Sequence, residues 1–172
     1  MLCTQIAWAG AIVITRAEAE RSYKGLEQKI RTHNQRAPIM KARVKPECWV
    51  DLESGERFPP ESLPCSRVAA FCGLANPVSF WRTLDNLGCG TIRRWSFGDH
   101  HRYRPIEVRR LGSDALDLGV EALLTTEKDI MNLCEQAGKL VAPTRLLWLK
   151  IGMEVEGAEY LFNGAELRRR LV

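Results

Sequence analysis

The chain has three histidines, and two of them, His100 and His101, stand side by side behind Asp99 in "WSFGDHHRYRP", Trp95 to Pro105. An imidazole beside a carboxylate is equipped for proton transfer, because the carboxylate can fix the ring's tautomer and raise its basicity. Gly98 lets the chain turn sharply just before the pair. The same residue types also serve metal binding or a plain polar loop. A metal site takes three or four ligands. Here His33 falls on a separate predicted helix and the cysteines fall in apolar runs, so no metal-binding residues are expected. A metal-dependent phosphoesterase of the Asp-His-His type would also need an Asp-x-Asp pair on an earlier strand, and the chain contains none. General acid/base work by His100 and Asp99 on a phosphate-bearing or hydroxyl-bearing substrate is the functional reading, with the polar loop beside it.

Three other polar segments could join this one: "TRAE" from Thr15, "GLANP" from Gly73 and "TTEKD" from Thr125. "TTEKD" has the form of a helix start, with Thr126 as cap, Asp129 answering three residues on and early acidic residues suiting the helix dipole. It equally offers Glu127, Lys128 and Asp129 to a site. "GLANP" reads as a turn with Asn76 as cap and Pro77 at the first helical position. "TRAE" resembles the strand-end segment with which P-loop proteins contact a nucleotide base, a weak signal when it stands alone.

Whether these segments meet depends on the elements before them. "AIVIT" at 11–15 predicts a buried strand, followed by a helix whose face carries Tyr23, Leu26, Ile30 and His33. Residues 38–52 look extended, and "SGERFPPESLP" is a turn-rich connection, so 38–66 reads as a β-ribbon. From Arg67 a clean alternation begins. "RVAAFCG" is a strand, and a helix over 76–88 carries Phe80, Leu84 and Leu87 and stops at Gly88. "TIRRWSF" is a strand, and 105–118 a helix with Val108, Leu111, Ala115 and Leu118 on one face. "ALLTT" is a strand, 127–138 a helix burying Ile130, Leu133, Cys134 and Ala137, and "RLLWLKI" a last strand, with a helical tail "GAELRRRL". Strands alternating with helices make βαβ units, hence an α/β fold with a mostly parallel sheet and flanking helices. Ligands bind such sheets at the carboxyl ends of the strands. If all are parallel, the four polar segments share that edge, bringing together Arg16, Asn76, Asp99, His100, His101 and the run Glu127 to Asp129.

Composition narrows the classes. In 172 residues, 45% hydrophobic, there is material for one core. Lys and Arg number 25 against 21 Asp and Glu, a net charge of +4 with the basic residues scattered, which argues against nucleic acid. The six cysteines include no Cys-x-x-Cys pair and read as reduced core residues of a cytoplasmic protein. No apolar run reaches the roughly 20 residues that span a bilayer.

Taken in order, "AIVITRAE", "RVAAFCGLANPVSFWRTLDNLG", "WSFGDHHRY" and "ALLTTEKD" resemble the carboxyl-terminal half of the tetraacyldisaccharide 4'-kinases, over roughly Ala11 to Ile151. The resemblance implies a Rossmann-like carboxyl-terminal domain of a P-loop-type kinase at 67–172, a β-ribbon linker at 38–66 and a remnant of the core domain at 1–37. It implies transfer of the ATP γ-phosphate, with Mg2+, to the 4'-hydroxyl of a tetraacyldisaccharide phosphate, a lipid A precursor, by an enzyme in peripheral contact with the cytoplasmic face of the inner membrane. By motif, His100 with Asp99 is the catalytic pair, the histidine assisting an aspartate base in the family's amino-terminal domain. Thr15, Arg16, Glu127 and Lys128 are the expected cofactor contacts.

The sequence departs from the family in one large respect. No G-x-x-x-x-G-K-[ST] loop exists, and at the single Gly-Lys pair, Gly138-Lys139, Leu133 and Leu140 replace the first glycine and the hydroxyl residue. Without that loop nothing cradles the phosphates, so the chain alone is expected to be inactive and to need an amino-terminal kinase half as partner. The ten residues before Ala11 do not resemble the family's lead-in to that strand. The competing expectation is a non-catalytic α/β module that binds a phosphorylated or acylated ligand or a partner protein through the same crevice.

Overall fold

The structure, a computed structural model, describes residues 2–15, 17 and 22–157, with side chains from residue 5 onward. Two compact units form, one from Met1–Lys45 and Gly152–Val172, the other from Pro46–Ile151.

In the first unit, helix α1 (Leu2–Ala7) precedes strand β1 (Ile12–Ile14) and helix α2 (Lys24–His33). β1 pairs in parallel with the start of strand β2 (Ile39–Asp51), Ile12 facing Ile39. The expected α2 helix is present, but of its face only Ile30 is buried, while Leu26 and His33 are exposed. Buried Asn34 satisfies the polar groups around it. Its amide donates to the carbonyls of Ile6 and Ala9, at 2.8 and 2.9 Å, and its Oδ1 accepts from Arg36 and Ala37. The expected tail helix lies outside the described residues.

The second unit holds the rest of β2, a short antiparallel return β3 (Arg57–Phe58), and then strand β4 (Val68–Cys72), helix α3 (Pro77–Asn86), strand β5 (Thr91–Ser96), helix α4 (Pro105–Asp117) and strand β6 (Ala122–Thr126). Two short helices, α5 (Glu127–Ile130) and α6 (Ala137–Val141), lead to strand β7 (Arg145–Glu156), whose end runs into the first unit. The strand order is β2-β7-β6-β4-β5, and β4–β5, β4–β6 and β6–β7 are all parallel.

The central strands β4 and β6 are buried on both faces, which explains why they read as largely apolar runs. Side chains alternate across a strand, so Val68, Ala70 and Cys72 join Phe80 and Leu84 of α3 on one face. Ala69 and Phe71 join Val108, Leu111 and Ala115 of α4 and Val141 of α6 on the other. Full burial of a Leu or Phe side chain is worth about 1.5–3 kcal/mol, and these two clusters hold the three layers together.

Three local expectations are corrected. The helix expected over 127–138 is broken after Ile130. The Asn132 carbonyl there receives the N–H of Tyr103 at 3.1 Å, and the chain continues in short turns, Leu133 N–H to the Ile130 carbonyl and Ala137 N–H to that of Cys134. Asn76 makes no side-chain cap to α3. Its carbonyl instead receives the Ser79 hydroxyl at 2.8 Å, and Pro77 has no N–H to satisfy. Of the five described cysteines, all free, only Cys72 and Cys89 are core residues, while Cys48, Cys65 and Cys134 are half-buried.

Candidate functional site

The strand order fixes where a ligand could sit. From β4 the chain passes through α3 on one face to β5, then through α4 on the opposite face back across β4 to β6. Connections leaving in opposite directions on opposite faces open a crevice at the carboxyl end of β4, the topological switch point. Gly73 stands there, with the Gly98–His101 turn after β5 on one side and the start of α5 after β6 on the other.

These three segments are in direct contact. A Cβ on Gly73 would come within 3.0 Å of the Gly98 carbonyl, 3.1 Å of Asp129 Oδ1 and 3.1 Å of His101 Cβ, so a side chain here would push the neighbours apart. Lys128 Nζ donates to Asp99 Oδ1 at 2.7 Å, tying the segment after β6 to the segment after β5. The same oxygen receives the His100 N–H at 3.1 Å.

His100 has φ 56°, the left-handed region that residues with a Cβ adopt rarely. That conformation carries its side chain into solvent, 76% exposed, with Nε2 3.7 Å from Asp99 Oδ2. The Lys128 hydrogen bond, with His100 nearby, holds the Asp99 carboxyl below the usual carboxylate range, so Asp99 is ionised at neutral pH. His101 is packed inward: its ring stacks on Phe97 at 4.9 Å and meets Tyr103 edge-on at 4.8 Å. Its shielded Nε2 lies 3.3 Å from Glu107 Oε1 without hydrogen-bond alignment. Glu107 is itself held below its ordinary range by the backbone N–H of Arg104, 2.9 Å from Oε2 at the start of α4.

Beneath the turn lies a carboxylate whose sequence context fits a helix start and a site residue equally well. Asp129 is fully buried. Its Oδ1 accepts the Gly73 N–H at 2.8 Å and the Tyr103 hydroxyl at 2.9 Å, and its Oδ2 accepts the Thr126 hydroxyl at 2.6 Å. The Thr126 cap is present as expected, Oγ1 accepting the Asp129 N–H at 3.2 Å. Burial, with the Asp129 charge beside it, pushes the Tyr103 phenol far above its ordinary range, so it serves as a neutral donor. Gly73 and Tyr103 were not singled out from the sequence. The signal available was the tyrosine closing the Phe-x-Asp-His-x-x-Tyr run and the glycine ending an apolar strand.

Of the residues expected at this edge, Asp99, His100, His101, Lys128 and Asp129 come together, and Glu127 is exposed at the start of α5. Asn76 is exposed and takes no part in these contacts. Thr15 is exposed just past β1 in the other unit, and Arg16 lies outside the described residues. Among the described residues, no three His, Cys, Asp or Glu side chains converge as a metal site, and no helix is long and apolar enough to cross a membrane.

Fold and site define an open, doubly wound α/β domain with an ionised Asp and an exposed His at its switch point. Residues 3–164 match the profile of the tetraacyldisaccharide-1-P 4'-kinase family, and the chain belongs to that family. The match extends beyond the expected Ala11 to Ile151 at both ends, so residues 3–10 are covered by the family profile as well. The tetraacyldisaccharide 4'-kinase of Anaeromyxobacter sp. (strain K) is 33% identical over 161 residues, 92% of this chain and 42% of its own length. A counterpart from Methylorubrum extorquens is 36% identical over 109 residues, 63% of this chain and 30% of its own length. The crystal structure of "apo" form LpxK from Aquifex aeolicus in complex with ATP is 26% identical, with a TM-score of 0.54 over 91% of this chain and 42% of that one. The chain thus spans well under half the length of these relatives.

Proposed function

We propose that this chain supplies one portion of a kinase that transfers the γ-phosphate of ATP, with Mg2+, to the 4'-hydroxyl of a tetraacyldisaccharide lipid A precursor. In that reaction the O4'–phosphorus bond forms, the bond from the γ-phosphorus to the bridging oxygen of ADP breaks, and the hydroxyl proton passes to a base. Phosphoryl transfer asks a protein mainly for positioning and charge stabilisation. His100, exposed on its turn with the ionised Asp99 beside it, assists the base. Thr15 and Arg16, together with Glu127 and Lys128, are assigned to the nucleotide. The phosphate loop, the magnesium ligands and the aspartate base belong to the length of the relatives that this chain does not span, and the chain alone is inactive. The completed enzyme works in peripheral contact with the cytoplasmic face of the inner membrane.

The observation that carries this reading is the Lys128–Asp99 contact at 2.7 Å, which places the Asp-His run and the Thr-Thr-Glu-Lys-Asp run, the two most specific marks of the resemblance, at one crevice. The test is to join the chain to the remaining portion of the Anaeromyxobacter relative and assay 4'-phosphorylation from ATP. Turnover by the joined enzyme and none by the 172-residue chain alone is expected. A well-folded joined enzyme that binds the disaccharide but never turns it over would favour the binding module.

A further inference from the structure

We propose that Asp129 is a positioning residue for His100, a sealed carboxylate that draws Gly73 and Tyr103 together and so sets the turn on which His100 stands. This rests on the reading of His100 given above. Asp129 is 0% exposed, so it meets neither substrate nor solvent. A helix cap would have been complete with the two Thr126 contacts. Instead Oδ1 turns away from its own helix and takes one donor from the end of β4 and one from the segment after β5. Burying a carboxylate is costly unless donors surround it, and these donors come from three different strand ends, so the group joins the same pieces that bound the crevice.

From those contacts the constraint reaches the turn by packing. Tyr103 meets the rings of Phe97 at 5.0 Å and His101 at 4.8 Å, and Phe97 stacks on His101, so the residues on both sides of His100 are clamped. The end of β4 closes the other side, where Gly73 leaves no room between the Gly98 carbonyl and His101 Cβ. The left-handed φ of 56° at His100 is a conformation that persists only where surroundings impose it. Lys128, the neighbour of Asp129 in sequence, adds the surface tie to Asp99.

The variant Tyr103→Phe keeps the ring and removes one donor to Asp129. In the 172-residue chain it is expected to speed amide exchange at His100 and His101 by about tenfold while β4 and β6 amides keep their protection. Unchanged exchange at those two amides overturns the proposal. In the joined enzyme, Tyr103→Phe is expected to lower kcat about tenfold, leave KM for ATP within about twofold, and add nothing further in a His100→Ala background. An equal loss in both backgrounds overturns the proposal, because a merely structural residue acts whether or not His100 is present. Asp129→Asn weakens all three contacts and is expected to act in the same direction and more strongly; an effect smaller than that of Tyr103→Phe contradicts its role. If His100→Ala leaves kcat untouched, the reading of His100 fails, and the exchange result alone decides whether Asp129 sets the turn.

Discussion

Lys128 Nζ sits 2.7 Å from Asp99 Oδ1, a contact across 29 residues of sequence that joins the loops following two strands separated in the sheet by β4. It is the surface counterpart of the buried Asp129 network one residue further on. The ammonium lowers the Asp99 carboxyl below its ordinary range, and the ionised Asp99 is what faces the His100 ring.

Replacing Lys128 by Met is therefore expected to let the Asp99 carboxyl return toward the ordinary carboxylate range. Both side chains are well exposed, 38% and 39%, so the thermal midpoint should barely move, as is usual for solvent-screened pairs. An NMR titration of the Asp99 carboxyl carbon checks this, and an unchanged titration would mean that other groups set its charge.

Two helical glycines should answer alanine substitution differently. At either position Ala gains about 1 kcal/mol of helix propensity over Gly. At Gly112 the new methyl meets the Val141 Cα at 2.8 Å and the Leu140 carbonyl at 3.1 Å, backbone of α6 that cannot step aside. Overpacking of this kind costs about 1–3 kcal/mol, so Gly112→Ala should be net destabilising. At Gly138 the obstruction is the flexible Glu53 side chain, and Gly138→Ala should be close to neutral. Urea midpoints of the two variants test the contrast.

The core thiols should be inert. Burial pushes Cys72 up to about 12 and Cys89 to about 11, leaving almost no thiolate at pH 8. Mass spectrometry after mild alkylation of the native chain is expected to show both unmodified, with labelling only after denaturation.

Acid should destabilise the second unit. Glu107 and Glu121 are held below their ordinary ranges by the Arg104 backbone and by the Arg67 backbone respectively. Asp51 is lowered as well, since the Ser54 backbone and Arg145 together outweigh the opposing effect of its burial. A lowered carboxylate contributes stability that is present above its unfolded value and is lost as pH falls through the folded one. Thermal midpoints should therefore hold from pH 7 to about 5 and drop below about pH 4. A midpoint unchanged down to pH 3 would contradict these assignments.

Much of this was readable in the residues. The apolar runs of β4 and β6, with Pro77 and Gly88 bracketing α3, state a parallel sheet because burial on both faces removes every polar position from a central strand. Asp99 and Lys128 could be placed at one edge because each follows a strand of one parallel sheet, β5 and β6. What could not be read is where tertiary contacts override local pattern. Ile130, Leu133 and Cys134 have helical spacing and do pack inward, yet the Asn132 carbonyl is captured by Tyr103 and the helix stops. Asp129 has the form of a helix-start acid, and nothing local shows that its Oδ1 is claimed by Gly73 and Tyr103. Asn76 looks like a cap, but the Ser79 N–H that its side chain would receive goes to the Asn76 backbone carbonyl at 3.3 Å.

The central claim is that His100 takes part in removing the proton from the 4'-hydroxyl. The joined enzyme with His100→Ala measures it most directly, through kcat at saturating ATP and disaccharide. The expected result is a loss of about 10²- to 10⁴-fold, the usual contribution of general acid/base assistance, with KM for both substrates little changed. A kcat within about twofold of the unsubstituted enzyme would contradict it.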